Sequence, residues 1–208
     1  MAVIFDIGCN IGNWIEANYN TVDTFIGVEA NPQIYEFCQD RFKERWNVRI
    51  LNFLVAERDN ETRPFYVAQS STGEVSSASL DWVQKSRHAY VETWDLPIKV
   101  NTITLDTLIA SYGKPKLIKI DVEGYELEVL KGLHQVYPLC FEWCEEMKGR
   151  LVECIDRLWN IGFREFHLQY GDDYMYRPSS YIGYDKLFTS FKDLKAERAS
   201  LWGMCHAR

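Results

Sequence analysis

Asp6, Gly8, Asn10 and Gly12 alternate in the stretch FDIGCNIGNW (5–14), directly after the apolar run AVIF (2–5). Glycines at such a junction free the backbone for conformations or close approaches that a side chain would block. The spacing D-x-G-x-N-x-G lacks the third glycine that admits a pyrophosphate in G-x-G-x-x-G, and no Gly-Lys-Ser/Thr follows to make a P-loop. Glu29 ends a second apolar run, TFIGVEA (24–30). A carboxylate at that strand end can accept both hydroxyls of a ribose. An ordinary tight turn would account for the glycines alone. Joined to Glu29 they point to a ribose-bearing ligand without a pyrophosphate, S-adenosylmethionine.

A second set of residues is acidic. Asp121 and Glu123 close the run KLIKIDV (116–122) and its continuation, and Glu142 lies in LCFEWC (139–144). Methyl transfer is an in-line displacement, so a protein mainly positions two groups, excludes water and supplies a base within reach of an acceptor hydroxyl. Asp121 and Glu123 are the leading catalytic candidates. If the strand continues, their period of two puts both on one side, where their closeness raises the pKa of one of them. The plainer alternative has Asp121 capping the next helix or holding the cofactor's amino group. Glu142 is read as a substrate contact; three such acids could hold Mg²⁺, but no metal is expected. His88, in an aromatic stretch, is the third catalytic candidate. Trp82, Tyr90 and Trp94, with Tyr174, Tyr176, Tyr181 and Tyr184, could stack on an acceptor or simply anchor their segments.

The elements that must position these groups alternate. Ile11, Trp14, Ile15 and Tyr19 form a helical stripe after the first strand. Asn31 and Pro32 open a second helix as N-cap and first residue, with Ile34, Phe37, Cys38, Phe42 and Trp46 on its inner face. VRILNFLVA (48–56) reads as one third strand. Residues 57–103 break the alternation: an extra strand or hairpin, a Ser/Thr-rich lid at 70–79, and a return strand. Leu105, Leu108, Ile109 and Tyr112 resume it, followed by strand 116–122, helix 125–132 stopped by Gly132, strand 139–144, and a helix through Met147, Leu151, Cys154, Ile155 and Leu158 stopped by Gly162. Strand 164–170, a loop-rich excursion at 171–199 and a last strand in ASLWGMCHAR complete the chain. The expectation is an α/β sandwich: a mostly parallel seven-stranded sheet with helices on both faces, in a single domain over 1–208.

The 208 residues are 47% apolar, and the net charge of −7 argues against a broad nucleic-acid or anionic-membrane surface. Six cysteines without a CxxC pair read as reduced and buried. The start MAVIFDIGC has no basic n-region, and no apolar run reaches a membrane span, so a cytoplasmic protein is expected.

The blocks DIGCNIGN, VEANP, LVAERDNETRPFYV and, most specifically, KIDVEGYELEVLKG make the chain similar to the FkbM-type family of S-adenosylmethionine-dependent methyltransferases, from about residue 4 to about residue 145. That resemblance implies a Rossmann-like class I methyltransferase fold. It also implies cofactor contacts at Asp6, Gly8, Asn10, Gly12, Glu29, Ala30, Asn31 and Ala56, and an active-site floor at Asp121–Glu123. The acceptor it implies is a hydroxyl on a sugar or other small metabolite. An NAD-dependent oxidoreductase and a non-catalytic nucleotide-binding module are the alternatives.

Overall fold

The computed structural model describes residues 2–69, 73–192 and 201–208. Strand β1 (Val3–Ile7), helix α1 (Asn13–Asn18), β2 (Thr24–Val28), α2 (Pro32–Phe42) and β3 (Val48–Leu51) form two successive β-α-β units. β4 (Leu54–Val55), β5 (Thr62–Phe65), α3 (Leu80–Lys85) and β6 (Ile98–Ile103) then leave the main layer. The remaining elements are α4 (Leu105–Tyr112), β7 (Pro115–Ile120), α5 (Glu126–Lys131), β8 (Leu139–Cys144), α6 (Lys148–Ile161), β9 (Glu165–Tyr170), β10 (Ile182–Gly183), α7 (Tyr184–Lys192) and β11 (Trp202–Ala207).

The main sheet has eight strands in the order β10-β9-β11-β8-β7-β1-β2-β3, not seven. The five from β8 to β3 run parallel, and β11 lies antiparallel between β8 and β9. The added strand is β10, two residues paired to Glu165 and Phe166 inside the expected loop-rich excursion. It is too short to carry an alternating pattern. The single strand expected over 48–56 is in fact two. β3 pairs with β2, whereas β4 joins β6 and β5 in a separate three-stranded sheet. Residues 70–72 of the expected lid and 193–199 of the excursion lie outside the described residues.

Strand alternation divides the core. Ile4, Phe25 and Ile50 pack on Trp14, Ile15, Cys38 and Phe42 of α1 and α2. Their neighbours Phe5, Ile7, Ile26 and Val28 point to the other face, against Leu105, Leu108, Val129, Ile155 and Leu158. Asn31 caps α2 as expected, accepting from Gln33 N at 3.1 Å, with Pro32 first in the helix. Phe37 and Trp46 are the exceptions to the expected stripe, at 53% and 67% exposed. All six cysteines are buried and free. Among the described residues, no helix is long and apolar enough to cross a membrane.

The chain builds outward from β1 through β2 to β3, then returns to place β7 and β8 on β1's other side. β1 and β7 therefore flank the switch point, and their carboxyl ends border the crevice where α/β sheets bind ligands.

Candidate active site

The turn after β1 is tied across to β2: the N–H groups of Gly8 and Cys9 both donate to Val28 O, at 2.9 and 3.2 Å. Gly8 has φ +75°, and a Cβ there would stand 1.8 Å from the carbonyl oxygen of Asp121. Gly12, which opens α1, leaves room for the Phe42 ring, 2.3 Å from where its Cβ would be. Both glycines thus make space for the chain itself. Gly8 lies on the crevice wall, whereas Gly12 does not.

A narrow slot of about 40 Å³ opens beside this turn. Glu29, 7% exposed, stands on its wall. Its Oε2 accepts the N–H of Asn10 at 2.9 Å, and its Oε1 accepts that of Asn31 at 2.8 Å. Burial pushes its pKa up to about 7 against the lowering effect of those two N–H groups. Ala30 lines the slot, with Phe53, Val55 and Phe65 as apolar walls and Gly73 and Ser76 on the outside.

A wider cleft of about 460 Å³ adjoins the slot, and Gly8, Asn10, Asp121 and Glu123 line both. β7 ends at Ile120, so Asp121 and Glu123 do not sit on a continuing strand as the period-two argument assumed. Asp121 N still reaches Ile7 O at 2.9 Å. Glu123 turns into the left-handed region, φ +55°, a strained conformation for a residue with a Cβ. The turn is held from two sides. Glu126 accepts from Val122 N and Gly124 N at 3.3 and 3.1 Å, and Ser77 Oγ donates to Glu123 O at 2.6 Å. The turn therefore unites what strand periodicity was expected to unite: carboxylate oxygens of Asp121, Glu123 and Glu142 all lie within 4.8 Å of one another. Glu123 is held well above the usual carboxylate range by burial and by the charges of Asp121 and Glu126. Glu142 is raised likewise by burial, Glu123 and Asp121.

Beneath the cleft lies a buried cation that the motif reading passed over. Lys119 Nζ is 3.0 Å from Asp121 Oδ2 and 3.4 Å from Asp6 Oδ1. Burial works to lower its pKa, but Asp121 and Asp6 reverse this and hold the ammonium well above its ordinary range. Asp6, expected as a cofactor contact, is 1% exposed, and neither of its oxygens has a hydrogen-bond partner among the described residues. Burial raises it to about 6, partly offset by Lys119. It lines neither cavity.

His88 does reach the cleft. Its Nε2 accepts from Arg87 Nε at 3.2 Å, and burial, then Arg87, lower its pKa. Asn31 spends its side chain on the α2 cap, and Ala56 is wholly buried, with its N–H on Ile103 O, so neither side chain lines the slot. Of the aromatic candidates, only Tyr174 lines the cleft; Trp82 is fully buried beneath it and Tyr90 is 92% exposed. Arg87, Lys119, Asp172 and Trp202 are cleft residues that sequence reasoning missed. Lys119 had a signal, a lysine inside the apolar run KLIKID; Arg87 and Asp172 lie in segments without periodicity, and Trp202 opens the last strand, β11.

Residues 6–164 match the family described as Methyltransferase FkbM domain. The Hexuronic acid methyltransferase AglP of Haloferax volcanii is 32% identical over 133 residues, which cover 63% of this chain and 49% of that protein. The chain thus spans about half the length of this curated relative. Among solved structures, StiE O-MT superposes with a TM-score of 0.50 at 10% identity, covering 99% of this chain and 67% of that one. The Precorrin-6y C5,15-methyltransferase of Geobacter metallireducens GS-15 gives 0.49 at 11% identity, over 100% and 79%. At 10% identity the likeness to StiE O-MT is one of fold.

Proposed function

The chain belongs to the FkbM methyltransferase domain family, and on that premise we propose that it transfers a methyl group from S-adenosylmethionine to a hydroxyl oxygen of a sugar. Glu29 carries the reading. Two backbone N–H groups fix its carboxylate at the end of β2, and each oxygen keeps lone-pair capacity for a ribose hydroxyl. The apolar walls at Phe53, Val55 and Phe65 suit an adenine ring. At about 40 Å³ the slot alone is far below the roughly 300–1,000 Å³ of small-molecule sites, but it adjoins the cleft of about 460 Å³ with which it shares Gly8, Asn10, Asp121 and Glu123.

When bound, S-adenosylmethionine supplies a methyl group already activated by the sulfonium charge. The remaining work is positional and protonic. Glu123 is the residue assigned to take the acceptor's hydroxyl proton on its carboxylate. It lies where slot and cleft meet, in a strained backbone conformation of the kind found at active sites, and burial makes it a stronger base than a solvated glutamate. Asp121, tied to Lys119, orients that turn, and Glu142 accepts from a second acceptor hydroxyl. His88 has its Nε2 engaged by Arg87 and serves as cleft wall. The aromatic faces of Trp14, Tyr174 and Trp202 suit the C–H surface of a sugar ring, and the likeness to the hexuronic acid methyltransferase of Haloferax volcanii supports that acceptor class. Hydride transfer from NAD is disfavoured by the family and by the absent pyrophosphate turn.

Isothermal titration with S-adenosylmethionine and NAD tests the reading. The methyl donor should bind and NAD should not. Glu29→Ala should weaken the donor about 10–100-fold, through the loss of hydrogen bonds to a charged acceptor. A wild-type protein that ignores the methyl donor overturns the proposal.

A further inference from the structure

Arg87 is fixed where it stands. Its neighbour Ser86 is fully buried and closes α3, accepting from His88 N at 3.2 Å on its Oγ, while Ser86 O accepts Ala89 N at 3.0 Å. Trp82 of the same helix is fully buried against Gly124 of the Asp121–Gly124 turn. The guanidinium is therefore carried into the cleft by an anchored segment. Its side chain makes one hydrogen bond, from Nε to His88 Nε2. The nearest carboxylate, Glu146, stands 3.7 Å from Nε, and Nη1 is buried with no partner among the described residues. The Trp202 ring lies 5.7 Å away. A guanidinium offers five donors, and a buried donor left unmade costs about 1–3 kcal/mol.

The surroundings narrow what could use those donors. Glu74, Asp121, Glu123, Glu142 and Asp172 make the cleft acidic. Only two of its lining residues are lysine or arginine, and Lys119, 5% exposed at its side chain, is already committed to Asp6 and Asp121. An anionic group entering this cleft has one place to go. Resting on the methyltransferase reading above, we infer that the acceptor is a sugar carrying a carboxylate, and that Arg87 binds that carboxylate while Glu123 and Glu142 meet the hydroxyls. The planar fork matches a carboxylate or a phosphate bidentately. A monoanion is the better fit, because a phosphate dianion would add a second negative charge beside five carboxylates.

The test uses the protein with S-adenosylhomocysteine bound and three probes: a methyl glucuronide, the neutral methyl glucoside and glucose 6-phosphate. The wild type should bind the glucuronide about 10–100-fold tighter than the glucoside. Arg87→Met should erase that difference by weakening the glucuronide alone, and Arg87→Lys should restore part of it. Donor affinity should stay at the wild-type value in both variants, which reports that the fold and slot survive. Equal weakening of glucuronide and glucoside by Arg87→Met would assign the residue a structural role and overturn the inference. So would a wild type that does not distinguish them, or one that prefers the phosphate. Wild-type protein that fails to bind the donor itself would instead sink the methyltransferase reading.

Discussion

Glu29 and Glu142 are almost equally withdrawn from water, at 7% and 9% exposed, yet they sit in opposite electrostatic settings. Glu29 is clamped by two backbone N–H groups at 2.8 and 2.9 Å. The Glu142 side chain has no hydrogen bond among the described residues, and its carboxylate lies within 4.8 Å of those of Asp121 and Glu123. The slot is thus preorganised by main chain, which suits steady binding of one ligand. The cleft concentrates negative charge that main-chain donors do not relieve, which suits taking a proton or holding hydroxyl groups.

The sharpest break of that division is a pair of isosteric substitutions. Glu123→Gln should lower kcat about 10²–10⁴-fold while donor affinity holds, as loss of a general base does. Glu29→Gln should do the reverse, weakening the donor and sparing kcat at saturation. Steady-state kinetics beside donor titration reads both, and equal kcat losses would erase the distinction between slot and cleft.

Next in size is the cation beneath the two regions. Lys119→Met should cost about 3–5 kcal/mol in urea unfolding, because it leaves Asp6 buried with no compensating charge. Adding Asp6→Asn should recover part of that loss. A double variant as unstable as the single one would show that the ion pair is not the cause.

The last effect, spread over several groups, is the pH dependence of stability. Asp6 at about 6 and Glu29 and Glu126 at about 7 all lie above the usual carboxylate range, chiefly through burial. Between their ordinary range and about 7, the native state therefore holds protons that the unfolded chain has released. Stability should fall as pH rises through that window, by about 3 kcal/mol for each such group at most. Thermal unfolding at pH 5 and pH 8 should give the higher midpoint at pH 5, and Glu29→Gln should shrink the gap. A higher midpoint at pH 8 would place the buried protons elsewhere.

Much of the slot was legible before the fold was known. A glycine after the first apolar run, Glu29 at the end of the second, and Asn31-Pro32 opening the next helix are signals confined to a few residues each, set by local backbone geometry. The same locality explains why two expected residues do not line the slot with their side chains. Asn31 and Ala56 belong to slot-forming segments, but which atoms face the slot depends on packing. Asn31's side chain went to its helix and Ala56's backbone to β6. Phe37 and Trp46 fit a helical stripe and still face water: Phe37 lies on the outer side of α2, and the helix ends at Phe42, before Trp46.

The cleft was legible only in its acids. Arg87, Asp172 and Trp202 come from three separate stretches whose meeting depends on α3 packing on the Glu123–Gly124 turn and on β11 slotting between β8 and β9.

Residue order alone dictates the β-α alternation, the caps and stops of its helices, and the strand-end positions of Glu29 and Asp121, because periodicity and turn chemistry act over a few neighbouring residues. Folding in three dimensions decides the rest. It sends β4 out of the main sheet, turns Glu123 at positive φ to meet Glu142, sets Asp6 beside Lys119, and places Arg87 over an acidic cleft. These outcomes rest on contacts between distant segments, which a strand order that backtracks through β1 creates and no local pattern encodes.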